Sequence, residues 1–141
     1  MSPYENLPDT QWKKVTKKLV NEHPLSSDIL IDTVLEAWNG ILKTKIADEL
    51  QIGRDIFPTP QILGNYLHEL IPVFLEKKYP GQWTRDIEKK DKDLVCVANP
   101  YYSVEIKTSS NANNIYGNAS YGQEDSASAS SKTKDGYYLA V

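Results

Sequence analysis

Asp93-Leu94-Val95-Cys96-Val97-Ala98-Asn99-Pro100-Tyr101-Tyr102-Ser103-Val104-Glu105-Ile106-Lys107-Thr108 is the stretch on which the reading of this chain turns. Residues 94–98 form an unbroken apolar run, short for a helix and suited to a strand buried on both faces. Asn99-Pro100 punctuates it as a turn. The second half then alternates: Val104 and Ile106 share one face, while Ser103, Glu105 and Lys107 share the other. A loop of roughly three residues centred near Pro100 would pair the two strands and set Asp93 opposite Glu105 or Lys107. The turn contains no glycine, so the common bulged loop is not signalled. A slip of one residue would send these side chains to opposite faces of the sheet.

In that register two carboxylates converge on a site for a hard divalent cation such as Mg2+, which takes oxygen ligands and keeps several waters. Such an ion polarises a phosphoryl oxygen and helps to ionise a bound water. Lys107 lies two residues from Glu105 on the same face, where an ammonium can position that water and stabilise charge developing at phosphorus. Ile106 turns its side chain to the core, so its carbonyl is the atom that can face the ion. An isolated Glu-x-Lys on an exposed strand is ordinarily a solvated face. The combination of acid, apolar run, turn and alternating strand is what points to metal-assisted cleavage of a phosphodiester.

Asp93 with Glu105-Ile106-Lys107 resembles the PD-(D/E)XK nuclease signature, with Lys92 standing where the signature has proline. Residues 108–111 and 115–123 resemble type II restriction endonucleases, most nearly the ScaI-type group. So do Leu63-Gly64-Asn65-Tyr66-Leu67-His68-Glu69 and Gly136-Tyr137-Tyr138-Leu139-Ala140-Val141. The likeness covers roughly residues 58–141. It implies that Asp93 and Glu105 hold Mg2+, that Lys107 orients the water, and that Glu69 is an acid supporting the metal site. It also makes Ser109, Ser110, Asn118 and Gln123 candidates for contact with double-stranded DNA.

At 141 residues and 40% hydrophobic content, the chain can build a real core and is expected to form one structural unit. The net charge of -3 and a pI near 5.4 argue against a nucleic-acid binder, whose phosphate contacts usually leave a basic footprint. Against that, Lys77, Lys78, Arg85, Lys89, Lys90, Lys92, Lys107, Lys132 and Lys134 gather around the candidate site in sequence, interleaved with acids. The single Cys96 lies in the expected buried strand and cannot form an internal disulfide, which suits a reducing compartment. Residues 1–10 are polar and proline-bearing, unlike a signal peptide. No segment approaches the roughly 20 apolar residues that span a bilayer. A soluble, cytoplasmic protein is expected.

Trp12, Val15, Leu19 and Val20 recur at helical spacing, with Lys13, Lys14, Lys17 and Lys18 on the wet face and Pro24 closing the segment. Ser27 or Asp28 can cap a second helix through Ile31, Val34, Leu35 and Trp38, expected to continue to Leu50. These helices make residues 1–57 a helical N-terminal portion ahead of a core over 58–141. Thr59-Pro60 starts another helix, with a stripe of Ile62, Tyr66, Leu70 and Phe74 flanked by Leu63, Leu67 and Ile71. Pro72 is expected to kink it. His68 reads as a packed or surface histidine, because no second histidine or cysteine stands at metal spacing. His23 reads as loop.

Residues 82–85 suit a first strand. The polar stretch after Lys107, with Tyr116 and Tyr121 interleaved, reads as a loop or as a DNA-facing segment in which amides read base edges. Residues 126–134 are low in complexity, and 136–141 suit a central strand. Ending on such a strand is expected of a truncated member, one part of a split enzyme, or a reduced fragment.

The expectation is therefore an α/β (α+β) domain with a short mixed sheet flanked by helices, carrying an Asp93/Glu105/Lys107 site. The function expected is Mg2+-dependent, sequence-specific cleavage of double-stranded DNA in a restriction system, by a homodimer with a cognate DNA methyltransferase in the same system. A non-cleaving DNA-binding remnant, or a repair or recombination nuclease of the same fold, would use the same residues.

Overall fold

Proline positions set the helix boundaries. In the computed structural model, which describes residues 2–115 and 135–141, helix α1 spans Asp9–Glu22 directly after Pro8. His23, forced out of the helical region by Pro24, is extended at φ -68 and ψ 135 and ends it. Helix α2 spans Ser27–Lys43. Its cap is Ser26, rather than Ser27 or Asp28: Ser26 Oγ accepts the Ile29 N–H at 3.3 Å. Helix α3 spans Pro60–Lys78 with Pro60 in its first turn, while the Thr59 hydroxyl makes no capping bond.

The chain divides into two compact units, Met1–Ile31 and Asp32–Val141. In the first, α1 buries none of its residues, and its four lysines are exposed as expected. Tyr4 stands edge-on to Trp12 at 6.0 Å, and the Trp12 indole donates to the carbonyl of Leu7.

In the second unit α2 stops at Lys43 and does not continue to Leu50. Strands β1 (Lys45–Ile46) and β2 (Leu50–Gln51) instead form a small hairpin, pairing Ile46 with Leu50. Its turn holds Ala47 and Asp48 at φ 55 and 58, a left-handed conformation that residues other than glycine seldom adopt. Past the hairpin, Asp55 Oδ2 closes a turn by accepting from the Gln51 amide at 2.8 Å and from the Arg54 guanidinium.

Both expected helix stripes are rotated. On α2 the buried line is Thr33, Ala37 and Ile41, while Ile31 and Leu35 are more than half exposed. On α3 it is Gly64, Leu67, Ile71, Pro72 and Leu75, while Ile62 and Tyr66 face out. Each helix is apolar over more than one side, so periodicity identifies a helix without fixing which side packs.

Strands β3 (Trp83–Arg85), β4 (Leu94–Cys96), β5 (Val104–Lys107) and β6 (Tyr137–Ala140) form a four-stranded sheet in that order. The first three are antiparallel neighbours, and β6 runs parallel to β5. This is the mixed sheet expected, but β6 lies at its edge among the described residues, not at its centre. Leu94, Val104 and Ile106 are buried, together with Trp83 and Cys96. With Leu67, Ile71 and Leu75 of α3 they form the core, each fully buried aliphatic side chain contributing about 1.5–3 kcal/mol. Glu76 ties α3 to β3, accepting from the Thr84 hydroxyl at 3.3 Å and pairing with Arg85 at 3.6 Å. No described helix is long and apolar enough to cross a membrane.

Candidate active site

The β4–β5 connection decides what faces what. The expected three-residue loop is longer: β4 ends at Cys96, and Val97 and Ala98 are exposed rather than continuing a buried strand. A 3-10 turn, Pro100–Tyr102, precedes β5. Side chains replace the missing glycine turn. Asn99 Oδ1 accepts the Tyr101 amide at 3.1 Å, and the buried Ser103 Oγ accepts the Cys96 amide at 3.1 Å. With Leu94 paired to Val104, the next position places Asp93 across from Glu105, one of the two registers anticipated.

Asp93 is held by an unusual ladder bond. Its Oδ2 accepts the Ile106 N–H at 2.7 Å, where a backbone carbonyl of the partner strand would ordinarily stand. The chain thus exchanges one rung of the sheet for a carboxylate fixed at the strand border. Of Ile106, whose side chain is fully buried, it is the amide that the structure brings to the acid. Glu105 Oε1 accepts from Lys107 Nζ at 3.1 Å, and both side chains are largely withdrawn from solvent, at 12% and 21% exposure. Alternation on β5 therefore delivers what it promised: Val104 and Ile106 in the core, Glu105 and Lys107 together opposite.

Helix α3 reaches the site at two points on one face. Gly64 packs so closely on the end of β5 that a Cβ there would stand 2.6 Å from Thr108 Oγ1. One turn further on, His68 Nδ1 lies 3.6 Å from Asp93 Oδ2. His68, set aside in the sequence, is thus beside the site. Glu69, the acid carried over by likeness, is exposed on α3 and makes no hydrogen bond or ion pair to Asp93, Glu105 or Lys107 among the described residues. The helical wheel holds the signal that separates them. His68 follows Gly64 by four residues and precedes Ile71 by three, whereas Glu69 lies about 200° round from Leu67.

The donor set suits one class of metal. Asp93 and Glu105 offer carboxylate oxygens, and Glu105 Oε2 is buried without a hydrogen bond from the described residues. No group of three or more His, Cys, Asp or Glu side chains at metal spacing occurs among those residues. Two acids fit a hard ion that keeps several of its waters and do not fit one that needs an all-protein cage.

Beside the end of β5 opens a groove of about 540 Å3, between the first turns of α3 and Thr108-Ser109-Ser110, with Trp38 on its wall. Ser109 and Ser110 both line it. The Ser109 hydroxyl is engaged within its own turn, contacting the carbonyls of Asn111 and Asn114 and accepting the Asn111 amide at 3.0 Å. Ser110 is exposed. Asn118 and Gln123 lie outside the described residues, as do Tyr116, Tyr121, Lys132 and Lys134.

A family model for the ScaI restriction endonuclease matches residues 2–141. The type II restriction enzyme ScaI of Streptomyces caespitosus is 43% identical over 140 residues, which cover 99% of this chain and 61% of that protein. The chain thus spans about three fifths of the length of that relative. No solved structure matches.

Proposed function

The chain belongs to the ScaI restriction endonuclease family, and from that membership and the Asp93–Glu105–Lys107 cluster we propose that its site cleaves double-stranded DNA at defined sequences, with Mg2+ as cofactor. The observation that carries this reading is Asp93 fixed across from Glu105 with Lys107 on the same face, 3.1 Å from the Glu105 carboxylate. Asp93, Glu105 and the Ile106 carbonyl would hold the ion, whose chemistry when bound is Lewis acidity towards phosphate and water. Lys107 orients the attacking water and offsets charge that builds on the phosphoryl oxygens. Partial burial strengthens that interaction by limiting solvent screening. Base reading falls to the segment after β5, where Ser110 lines the groove and Asn118 and Gln123 follow by family likeness. A two-fold symmetric DNA site suits two copies of the chain, and a cognate methyltransferase would protect the host's DNA.

Incubation of the chain with phage DNA and Mg2+ is expected to give discrete fragments. Glu105→Ala and Lys107→Ala should each abolish them, and uncut DNA with the unaltered chain would refute cleavage. A second reading within the same family is duplex binding without cutting. Retention of DNA with no nicks in Mg2+ or Mn2+ would select it.

A further inference from the structure

The chain carries a net charge of -3, so a polyanion must be met by positive charge placed locally. Among the described residues the lysines are exposed, and the exceptions are Lys92 and Lys107. Withdrawing an ammonium from water is unfavourable unless something opposite stabilises it. For Lys107 that group is Glu105. Lys92 precedes Asp93 directly, and its Nζ lies 5.3 Å from the centre of the Tyr138 ring. Tyr138 is the β6 residue paired with Glu105, and paired residues on neighbouring strands point to the same side of a sheet. Tyr138 therefore shares a side of the sheet with Glu105, and Lys92 lies over its ring. The far end of Lys92 lies just ahead of β6, its Cε and Nζ 3.8 and 3.9 Å from where a Cβ on Gly136 would stand. Tyr138 is 41% exposed, so this cation and ring line the open side of the site.

We propose that Lys92, seated on Tyr138, is a second cation of the site and binds a backbone phosphate of the DNA next to the one that is cleaved. The lysine at the position where the signature has proline then has a task of its own. Lys107 serves the reacting phosphate, and Lys92 sets the register of the strand that carries it. This inference rests on the reading of the site as one that acts on DNA.

The test is the salt dependence of binding to a short mixed-sequence DNA duplex, followed by fluorescence anisotropy in EDTA so that no cleavage intervenes. A phosphate contact contributes about 0.9 to the slope of log affinity against log salt, or roughly a 3- to 4-fold affinity change between 50 and 200 mM. Lys92→Met is expected to lower the slope by about one. Lys92→Arg is expected to keep it, and Lys77→Met, an exposed lysine on α3, to leave it unchanged. Tyr138→Leu, which removes the ring but no charge, should weaken binding less than Lys92→Met. A wild-type slope in Lys92→Met, or an equal loss in Lys77→Met, would overturn the inference while leaving the function standing. No binding by the unaltered chain at low salt would overturn both.

Discussion

Substituting Gly64 by alanine tests how tightly α3 is seated on the strand that carries Glu105 and Lys107. Two opposed effects set the outcome. Inside a helix, alanine is favoured over glycine by about 0.8–1 kcal/mol. Against that, the new Cβ would stand 2.6 Å from Thr108 Oγ1, well inside van der Waals contact, and 3.5 Å from Thr108 Cβ, which is ordinary contact. Overpacking of this kind costs about 1–3 kcal/mol. Gly64→Ala alone should therefore be neutral to destabilising by about 2 kcal/mol, after propensity is subtracted. With Thr108→Ala the hydroxyl is gone and only the 3.5 Å neighbour remains. In that background the same substitution should stabilise by nearly 1 kcal/mol. The difference is a coupling energy of about 1–3 kcal/mol, readable in a double-mutant cycle of urea denaturation followed by circular dichroism. If Gly64→Ala stabilises equally in both backgrounds, α3 does not rest on β5 at this point and the account of the seat is wrong.

Asp93→Asn keeps an oxygen that can accept the Ile106 amide but removes the charge. Stability should fall by no more than about 1 kcal/mol, while Mg2+-dependent DNA cleavage is lost; unfolding measurements and a plasmid assay on the same preparation separate the two roles. Ile106→Ala empties a fully buried position between Glu105 and Lys107, and urea unfolding should report a loss of about 2–5 kcal/mol. The hydrogen bonds from Arg54, with that from the Gln51 amide, hold the Asp55 carboxyl below its ordinary value. Its contribution to the turn is therefore present above the usual carboxylate pKa and lost as pH falls through the depressed one. NMR titration of the Asp55 carboxyl should show that midpoint rise in Arg54→Ala, and an unmoved midpoint would refute the assignment.

How much of this was legible beforehand differs from one element to the next. The β5 alternation was fully legible, because a period of two with one buried face admits little else. The end of α1 before Pro24 and the start of α3 at Pro60 were legible for the same kind of reason: proline constrains the backbone whatever surrounds it. The β1–β2 hairpin was not, since its turn puts Ala47 and Asp48 where sequence rules look for glycine. Nor were the packed sides of α2 and α3. Their bulkiest apolar residues suggest one stripe, whereas the buried line is Thr33, Ala37 and Ile41 on α2, and on α3 close approach to Thr108 selects the small Gly64. His68 lacks the companions that would mark it as a metal ligand in sequence, yet its position four residues after Gly64 and three before Ile71 turns it towards Asp93.

The parallel pairing of β5 with β6 bears on the order in which the molecule assembles. β3, β4 and β5 follow one another along the chain and can zip together through local turns, whereas Val104 meets Tyr137 only after a distant segment has returned. Closing such a long excursion is the slower event. An early intermediate would thus already hold Asp93, Glu105 and Lys107, yet lack Tyr138 beside Glu105. On the proposed reading competence would arrive only with β6, since a chain caught short of that step would hold Asp93, Glu105 and Lys107 without the strand that pairs with them.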